Sequence, residues 1–296
     1  MLNNQKDIVP INIGDLTIGP DQPTYLIAEI GINHNGDLAI AKQLIDKAVE
    51  HNFQAVKFQK RTVEIVFTEE ELARPRENPF GETNGDLKRG LEFEAEDYKE
   101  IDAYCKEKGI QWFVSPWDEG AVDVIEQFDP VCYKIASASL TDTNLLKHIA
   151  KTGRPIILST GMSTIEEIDA AVETLKGTPL LLLHTTSTYP SKHEELNLAT
   201  IATLRERYCI PVGYSGHEPD VTPSVMAVSG FGASAVERHV TLDRSMWGSD
   251  QSASLEPRGM ELLSKYIRTW SEVKGDGVKR VYESEVPIKE KLRRIG

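Results

Sequence analysis

Eight short β-rich apolar runs alternate with eight longer amphipathic stretches, and this alternation restricts the fold more than any other feature of the chain. The runs are Thr24–Glu29, Ala55–Gln59, Gln111–Ser115, Val131–Ile135, Pro155–Ser159, Leu180–Thr185, Pro211–Tyr214 and Ala235–His239. The helical stretches are Leu38–Glu50, Ala95–Lys108, Glu119–Phe128, Asn144–Lys151, Ile165–Leu175, Ala199–Arg207, Pro223–Ser229 and Gly259–Lys274. In the first of them Ile40, Leu44 and Ala48 recur at helical spacing along one face. Ser163 followed by Glu166 predicts a capping box at the start of the fifth. Strands separated by helices pair in parallel, with the helices covering their outer face. Eight such units predict an α/β fold of the (β/α)8 TIM-barrel type rather than an open doubly wound sheet. No GxGxxG follows the first strand, which argues further against a dinucleotide-binding fold.

Two pieces fall outside the eight units. Ile8–Ile13 and Leu16–Ile18 flank Gly14-Asp15 and predict a hairpin plugging the N-terminal mouth of the barrel. One domain over 1–296 is expected, with 1–22 as hairpin cap and 275–296 as C-terminal tail. Arg61–Glu94, with Pro75, Pro79, Gly81, Gly85 and Gly90, is too long for a plain connection. It reads as a functional loop over the C-terminal mouth or, equally, as a mobile solvated insertion. Lys and Arg number 33 against 46 Asp and Glu, a net charge of −13 that argues against nucleic-acid backbone binding. A small anion in a lysine-lined pocket stays compatible with it. No apolar run approaches the roughly 20 residues a membrane span needs, and Met1–Pro10 lacks a signal-peptide core. Cys105, Cys132 and Cys209 are odd in number and far apart, so neither a disulfide framework nor structural zinc is expected and a reducing cytoplasm is the natural setting.

Barrel chemistry collects at the C-terminal ends of the strands. Those ends carry Glu29, then Lys57 and Gln59, Ser115, Lys134 with Ser137, Ser159-Thr160, Thr185 to Tyr189, Tyr214-Ser-Gly-His217 and Glu237-Arg-His239. His217 and His239 end neighbouring strands, about 4.8 Å apart, and closure brings Glu29 of the first strand beside them. Two imidazoles and a carboxylate suit Mn2+, Fe2+, Co2+ or Zn2+ with open positions, against a reading of one histidine as a hydrogen-bonded rim residue. Lys57 and Lys134, with Ser137, Ser159 and Ser215, form a candidate phosphate or carboxylate site. The competing reading is a buried ion pair of one lysine with Glu29 or Glu237. An anion beside a divalent metal suggests aldol-type carbon–carbon chemistry.

The same residues carry a family resemblance. Ala28-Glu-Ile-Gly-Ile-Asn-His-Asn-Gly36, Val56-Lys-Phe-Gln59, Tyr133-Lys-Ile-Ala-Ser137, Leu158-Ser-Thr-Gly-Met162, Gly213-Tyr-Ser-Gly-His217, Glu237-Arg-His239 and Gly248-Ser-Asp-Gln-Ser-Ala-Ser-Leu-Glu-Pro257 resemble the sialic acid synthase (N-acetylneuraminate synthase) family. The matches run in order over essentially the whole chain. The resemblance implies condensation of phosphoenolpyruvate with an N-acylmannosamine-type sugar or its 6-phosphate, with phosphate released by C–O cleavage. It implies that His217 and His239 hold a divalent metal (Mn2+, Mg2+ or Co2+) and that Glu29 is the catalytic carboxylate. Lys57, Lys134, Ser137, Ser159, Ser215 and Lys291 match phosphoenolpyruvate-binding positions, and Gln59, Tyr189 and Asp250 match sugar-side positions. Asp250 also reads as a turn residue within Gly248-Ser-Asp-Gln. Family members resembling this chain usually form homodimers and carry a C-terminal antifreeze-like domain. This sequence stops at Ile295-Gly296, about where the linker to that domain starts. Related synthases making seven- or eight-carbon keto acids, and a non-catalytic sugar-binding barrel, are the alternatives.

Overall fold

The computed structural model describes residues 8–295; the expected cap residues Met1–Asp7 and the last tail residue, Gly296, lie outside the described residues. Eight strands form a closed barrel: β1 (Tyr25–Gly31), β2 (Ala55–Lys60), β3 (Gln111–Pro116), β4 (Tyr133–Ile135), β5 (Ile156–Ser159), β6 (Leu180–Thr185), β7 (Val212–Gly216) and β8 (Ala235–His239). Every neighbouring pair is parallel, and β8 closes onto β1. The covering helices are α1 (Leu38–Glu50), α2 (Ala95–Lys108), α3 (Glu119–Glu126), α4 (Thr143–Ala150), α5 (Ile165–Thr174), α6 (Thr200–Tyr208), α7 (Thr222–Phe231) and α8 (Pro257–Val273).

The two-residue period of a strand separates the two cores. Leu26, Ala28 and Ile30 of β1, Val56 and Phe58 of β2 and Val114 of β3 face outward onto the helices. Tyr25 and Ile27, Ala55, Phe113, Ile157, Leu181, Leu183 and Ala235 fill the interior instead. Ile11, Ile13 and Ile18 join that inner cluster from the hairpin Ile11–Ile13/Leu16–Ile18. The hairpin therefore closes the N-terminal end of the barrel, which leaves the C-terminal end as the open one.

Three local expectations change. The cap of α5 shifts by one residue: Thr164 is the N-cap, Glu167 donates its N–H to the Thr164 hydroxyl at 3.3 Å, and Thr164 N–H donates to Glu167 Oε2 at 2.7 Å. Ser163 turns back instead and donates to the Gly161 carbonyl at 3.1 Å. The Arg61–Glu94 stretch is not a plain loop. It holds short helices Val63–Val66, Glu69–Ala73 and Asn84–Gly90 and a hairpin Pro75–Asn78/Gly81–Thr83, the last two helices begun by capping boxes Thr68/Glu71 and Thr83/Asp86. It is tied to the open rim, since Lys60 donates to the Phe93 carbonyl at 2.8 Å and Phe80 meets Trp247 edge-on with ring centres 6.4 Å apart. Beyond α8 the chain runs exposed to Ile295, and its helix Val286–Leu292 buries no residue. Among the described residues no helix is long and apolar enough to cross a membrane.

Candidate active site

The inward face of each strand changes character as it nears the open end. Tyr25 and Ile27 are followed on the same face by Glu29, Ala55 by Lys57 and Gln59, Phe113 by Ser115, Ile157 by Ser159, and Ala235 by Glu237 and His239. The polar layer lines a cavity of about 220 Å³. Register across the closed sheet sets His239 opposite Glu29, Glu29 opposite Lys57, and Ser215 opposite Glu237.

Lys57 lies between two carboxylates, with Nζ 3.3 Å from Glu29 Oε2 and 3.0 Å from Glu237 Oε2. The ion-pair reading thus holds for Lys57, whose charge is already matched. Burial acts to lower its pKa, but Glu237 and Glu29 overcome it and hold the ammonium above its usual value. The two carboxylates diverge. Burial drives Glu29 up, against the pull of Lys57 and His239, and Gln59 donates to its Oε1 at 2.8 Å. Burial pushes Glu237 the same way, yet Lys134 and Lys57 together outweigh it and leave this carboxyl at about 2. Glu237 is thus held as a charge, while burial makes Glu29 the easier of the two to protonate. Gly31, at φ +55, lets the chain turn where a Cβ would stand 3.1 Å from both Glu29 Oε1 and Gln59 Nε2.

Lys134 differs from Lys57. Its Nζ donates to Ser159 Oγ at 2.6 Å and to the Ile135 carbonyl at 3.0 Å, both neutral oxygens. Burial lowers its pKa to about 8. Ser115, Ser137, Ser159, Ser187 and Ser215 share the cavity lining with it, and the Gly161 N–H donates to Ser137 Oγ at 3.0 Å. This side of the cavity offers hydroxyls around a cation that Glu237 attracts through space but no carboxylate touches, which leaves the donor set an oxyanion requires.

The histidine rings stand with centroids 5.5 Å apart. His217 Nδ1 lies 2.9 Å from the Thr186 carbonyl, so Nδ1 carries the proton and Nε2 keeps its lone pair. Burial, with the neighbouring His239 as a smaller cause, lowers its pKa to about 3, so the ring is neutral. His239 Nδ1 is buried without a hydrogen-bond partner, 3.8 Å from Asp250 Oδ2. A neutral imidazole and an orphaned buried ring nitrogen fit a divalent cation. The three-ligand set with Glu29 does not assemble: its oxygens are engaged by Lys57 and Gln59, and among the described residues no three His, Cys, Asp or Glu converge as a metal set. Tyr189 packs against both rings, its centroid 4.1 Å from His217 and 5.7 Å from His239.

Residues 44–279 match the NeuB family, most of the length of the chain. The chain belongs to the NeuB family. It is 37% identical over 282 residues to N-acetylneuraminate-9-phosphate synthase of Homo sapiens, covering 93% of this chain and 78% of that protein. It is 35% identical to N,N'-diacetyllegionaminic acid synthase of Legionella pneumophila, over 93% of this chain and 80% of the other. The crystal structure of N-acetylneuraminic acid (sialic acid) synthetase from Leptospira borgpetersenii serovar Hardjo-bovis, in complex with citrate, superposes with a TM-score of 0.84 at 30% identity, covering 97% of this chain and 98% of that one. These relatives are synthases, and this NeuB chain is an enzyme of that kind.

Of the site residues expected from the sequence of this NeuB chain, Glu29, Lys57, Gln59, Lys134, Ser137, Ser159, Tyr189, Ser215, His217 and His239 all line the one cavity. Asp250 stands just outside the lining, beside His239. Lys291 is not brought there. It lies on the exposed helix Val286–Leu292, which has no buried residue to dock it on the barrel. Sequence reasoning did not assign Trp117 or Met162 to the lining. Glu237 was read only as a possible ion-pair partner of a lysine, and it is one for Lys57, on the inward face of β8 that it shares with His239.

Proposed function

We propose that the chain condenses phosphoenolpyruvate with an N-acylmannosamine-type sugar or its 6-phosphate, giving a nonulosonic acid and inorganic phosphate, as a cytoplasmic metal-dependent synthase. The observation that carries this reading is the meeting, in one cavity, of a buried ammonium whose direct partners are neutral oxygens with two imidazoles suited to a cation. The names of its NeuB relatives agree with it.

In this reading Lys134, Ser137, Ser159 and Ser215 hold the phosphate and carboxylate of phosphoenolpyruvate, and Lys57 adds charge while fixing Glu29 and Glu237. Gln59, Tyr189 and Asp250 orient the sugar, whose aldehyde faces the histidines. His217 and His239 would hold a divalent ion, which would supply Lewis-acid polarisation of that aldehyde. Imidazole ligands favour Mn2+ or Co2+ over the oxygen-seeking Mg2+. C3 of phosphoenolpyruvate forms the new bond to the aldehyde carbon, and the aldehyde oxygen is protonated to a hydroxyl. The C2–O bond to phosphate breaks, its electron pair leaving on phosphate, as the C2 hydroxyl delivered by water becomes the keto group and passes its proton to phosphate. On adding at C2, in balance with the proton taken up by the aldehyde oxygen, the water first gives up its other proton. Glu29, raised by burial, is the group placed to take that proton.

The test is phosphate release from phosphoenolpyruvate with Mn2+, offering N-acetylmannosamine, its 6-phosphate, a 2,4-diacetamido hexose and arabinose 5-phosphate, each with and without chelator. Chelator-sensitive release with a hexosamine acceptor is expected. Preference for arabinose 5-phosphate would instead assign an eight-carbon keto-acid synthase, and silence with every acceptor would overturn the reading.

A further inference from the structure

Directly behind the two histidines, on the outer face of the sheet, lies a charge pair that the reaction does not use. Arg238 and Glu218 are both wholly buried, with Arg238 Nη1 3.0 Å from Glu218 Oε1. Each is the chain neighbour of a histidine: Glu218 follows His217, and Arg238 precedes His239. The alternation of the strand sends Arg238 outward where Glu237 and His239 point in. Arg238 Nη1 also donates to Ser224 Oγ at 2.9 Å and to the Asp220 carbonyl at 2.8 Å, and Nη2 donates to the Glu218 carbonyl. Glu218 in turn accepts from Tyr214 OH at 2.8 Å and Ser224 Oγ at 3.1 Å. One guanidinium therefore ties the end of β8 to the turn that carries His217 and to the first turn of α7.

Gly216, between Tyr214 and His217, makes room for this fold-back, since a Cβ there would stand 2.7 Å from both Glu218 carboxylate oxygens. A buried ion pair is weak as a source of stability, because desolvation consumes most of its Coulomb gain and an apolar replacement is often neutral or stabilising. What such a pair does well is fix geometry. Its neighbours His217 and His239 gain from such fixing, because an ion held by only two protein ligands binds more tightly when their separation is set before it arrives.

We propose that Arg238 and Glu218 are positioning residues that set the separation of His217 and His239 for a divalent cation; this rests on the ion site proposed above. The test strips the protein of metal and measures affinity directly, by Co2+ ligand-field absorption and by the electron paramagnetic resonance of free Mn2+, without substrate. The double variant Arg238→Met/Glu218→Leu is expected to fold and to bind the ion about 10- to 100-fold more weakly, with its affinity for phosphoenolpyruvate in the absence of metal unchanged. Arg238→Lys serves if the double variant does not fold. It keeps the charge beside Glu218 but cannot span Glu218, Ser224 and Asp220 together, and a loss of ion affinity is expected there also. A folded variant binding the ion as tightly as wild type overturns the positioning role alone. Wild-type protein that takes up no ion overturns the ion site and the positioning role with it.

Discussion

Replacing Lys134 with methionine separates what the cavity does for substrate from what it costs the fold. The ammonium is buried, and its pKa falls from an ordinary 10.5 to about 8 because burial disfavours the charged form. That fall corresponds to about 3 kcal/mol against the charged lysine at neutral pH. It is present in full below pH 8, where folded and unfolded chains both carry the proton. It vanishes as the pH rises towards 10.5, where neither does, and in between the wild type gains stability because the unfolded chain holds more protons. Methionine removes this cost but leaves the Ile135 carbonyl without its donor, a loss of about 1–3 kcal/mol, and takes a donor from Ser159 Oγ as well. The opposing contributions are of similar size, so Lys134→Met is expected to stay close to wild type in stability at pH 7 in urea unfolding, and to lose ground relative to wild type between pH 8 and 10.5. Its KM for phosphoenolpyruvate should rise about 10- to 150-fold, the value of one charge-assisted hydrogen bond of about 1.5–3 kcal/mol. For wild type the same KM should climb as the pH passes 8 and the lysine loses its proton. An unchanged KM at pH 7 would remove Lys134 from the anion site, and a stability difference independent of pH would refute the burial argument.

Three further outcomes can be checked with the same assays. His239→Ala is expected to lose metal-dependent turnover while its circular dichroism stays that of wild type, since its Nδ1 makes no hydrogen bond that the fold depends on; unchanged turnover would take His239 out of the site. Glu29→Gln should lower kcat by about 10²- to 10⁴-fold, the range for loss of a general acid–base group, and leave ion affinity intact; full activity would move the base elsewhere. Lys291→Ala should leave the KM for phosphoenolpyruvate unchanged, because the helix carrying Lys291 buries nothing against the barrel; a rise in KM would show that the segment reaches a cavity in solution.

How much of this was legible in the sequence varies with the range of the interaction. Helices α1 and α2 have the limits that their periodicity predicts, because capping and apolar spacing act over a few residues. The cap of α5 was misplaced by one residue, because Ser163 and Thr164 offer equivalent hydroxyls and only the backbone decides which one is extended at the helix start. The Arg61–Glu94 stretch hid its short helices and hairpin, because its elements hold together through capping boxes and rim contacts rather than an apolar period.

By itself the sequence determined the order of the barrel and the neighbours of each site residue. Eight parallel units in chain order admit one ring, so Glu29 had to come beside His239 whatever the side chains did. Only the tertiary structure decided which charges meet. Lys57 and Lys134 look alike along the chain, yet one is matched by Glu29 and Glu237 and the other by neutral oxygens. That difference arises from rotamers and register around a closed ring, where groups far apart in sequence share one low-dielectric space and the nearest partners set each charge.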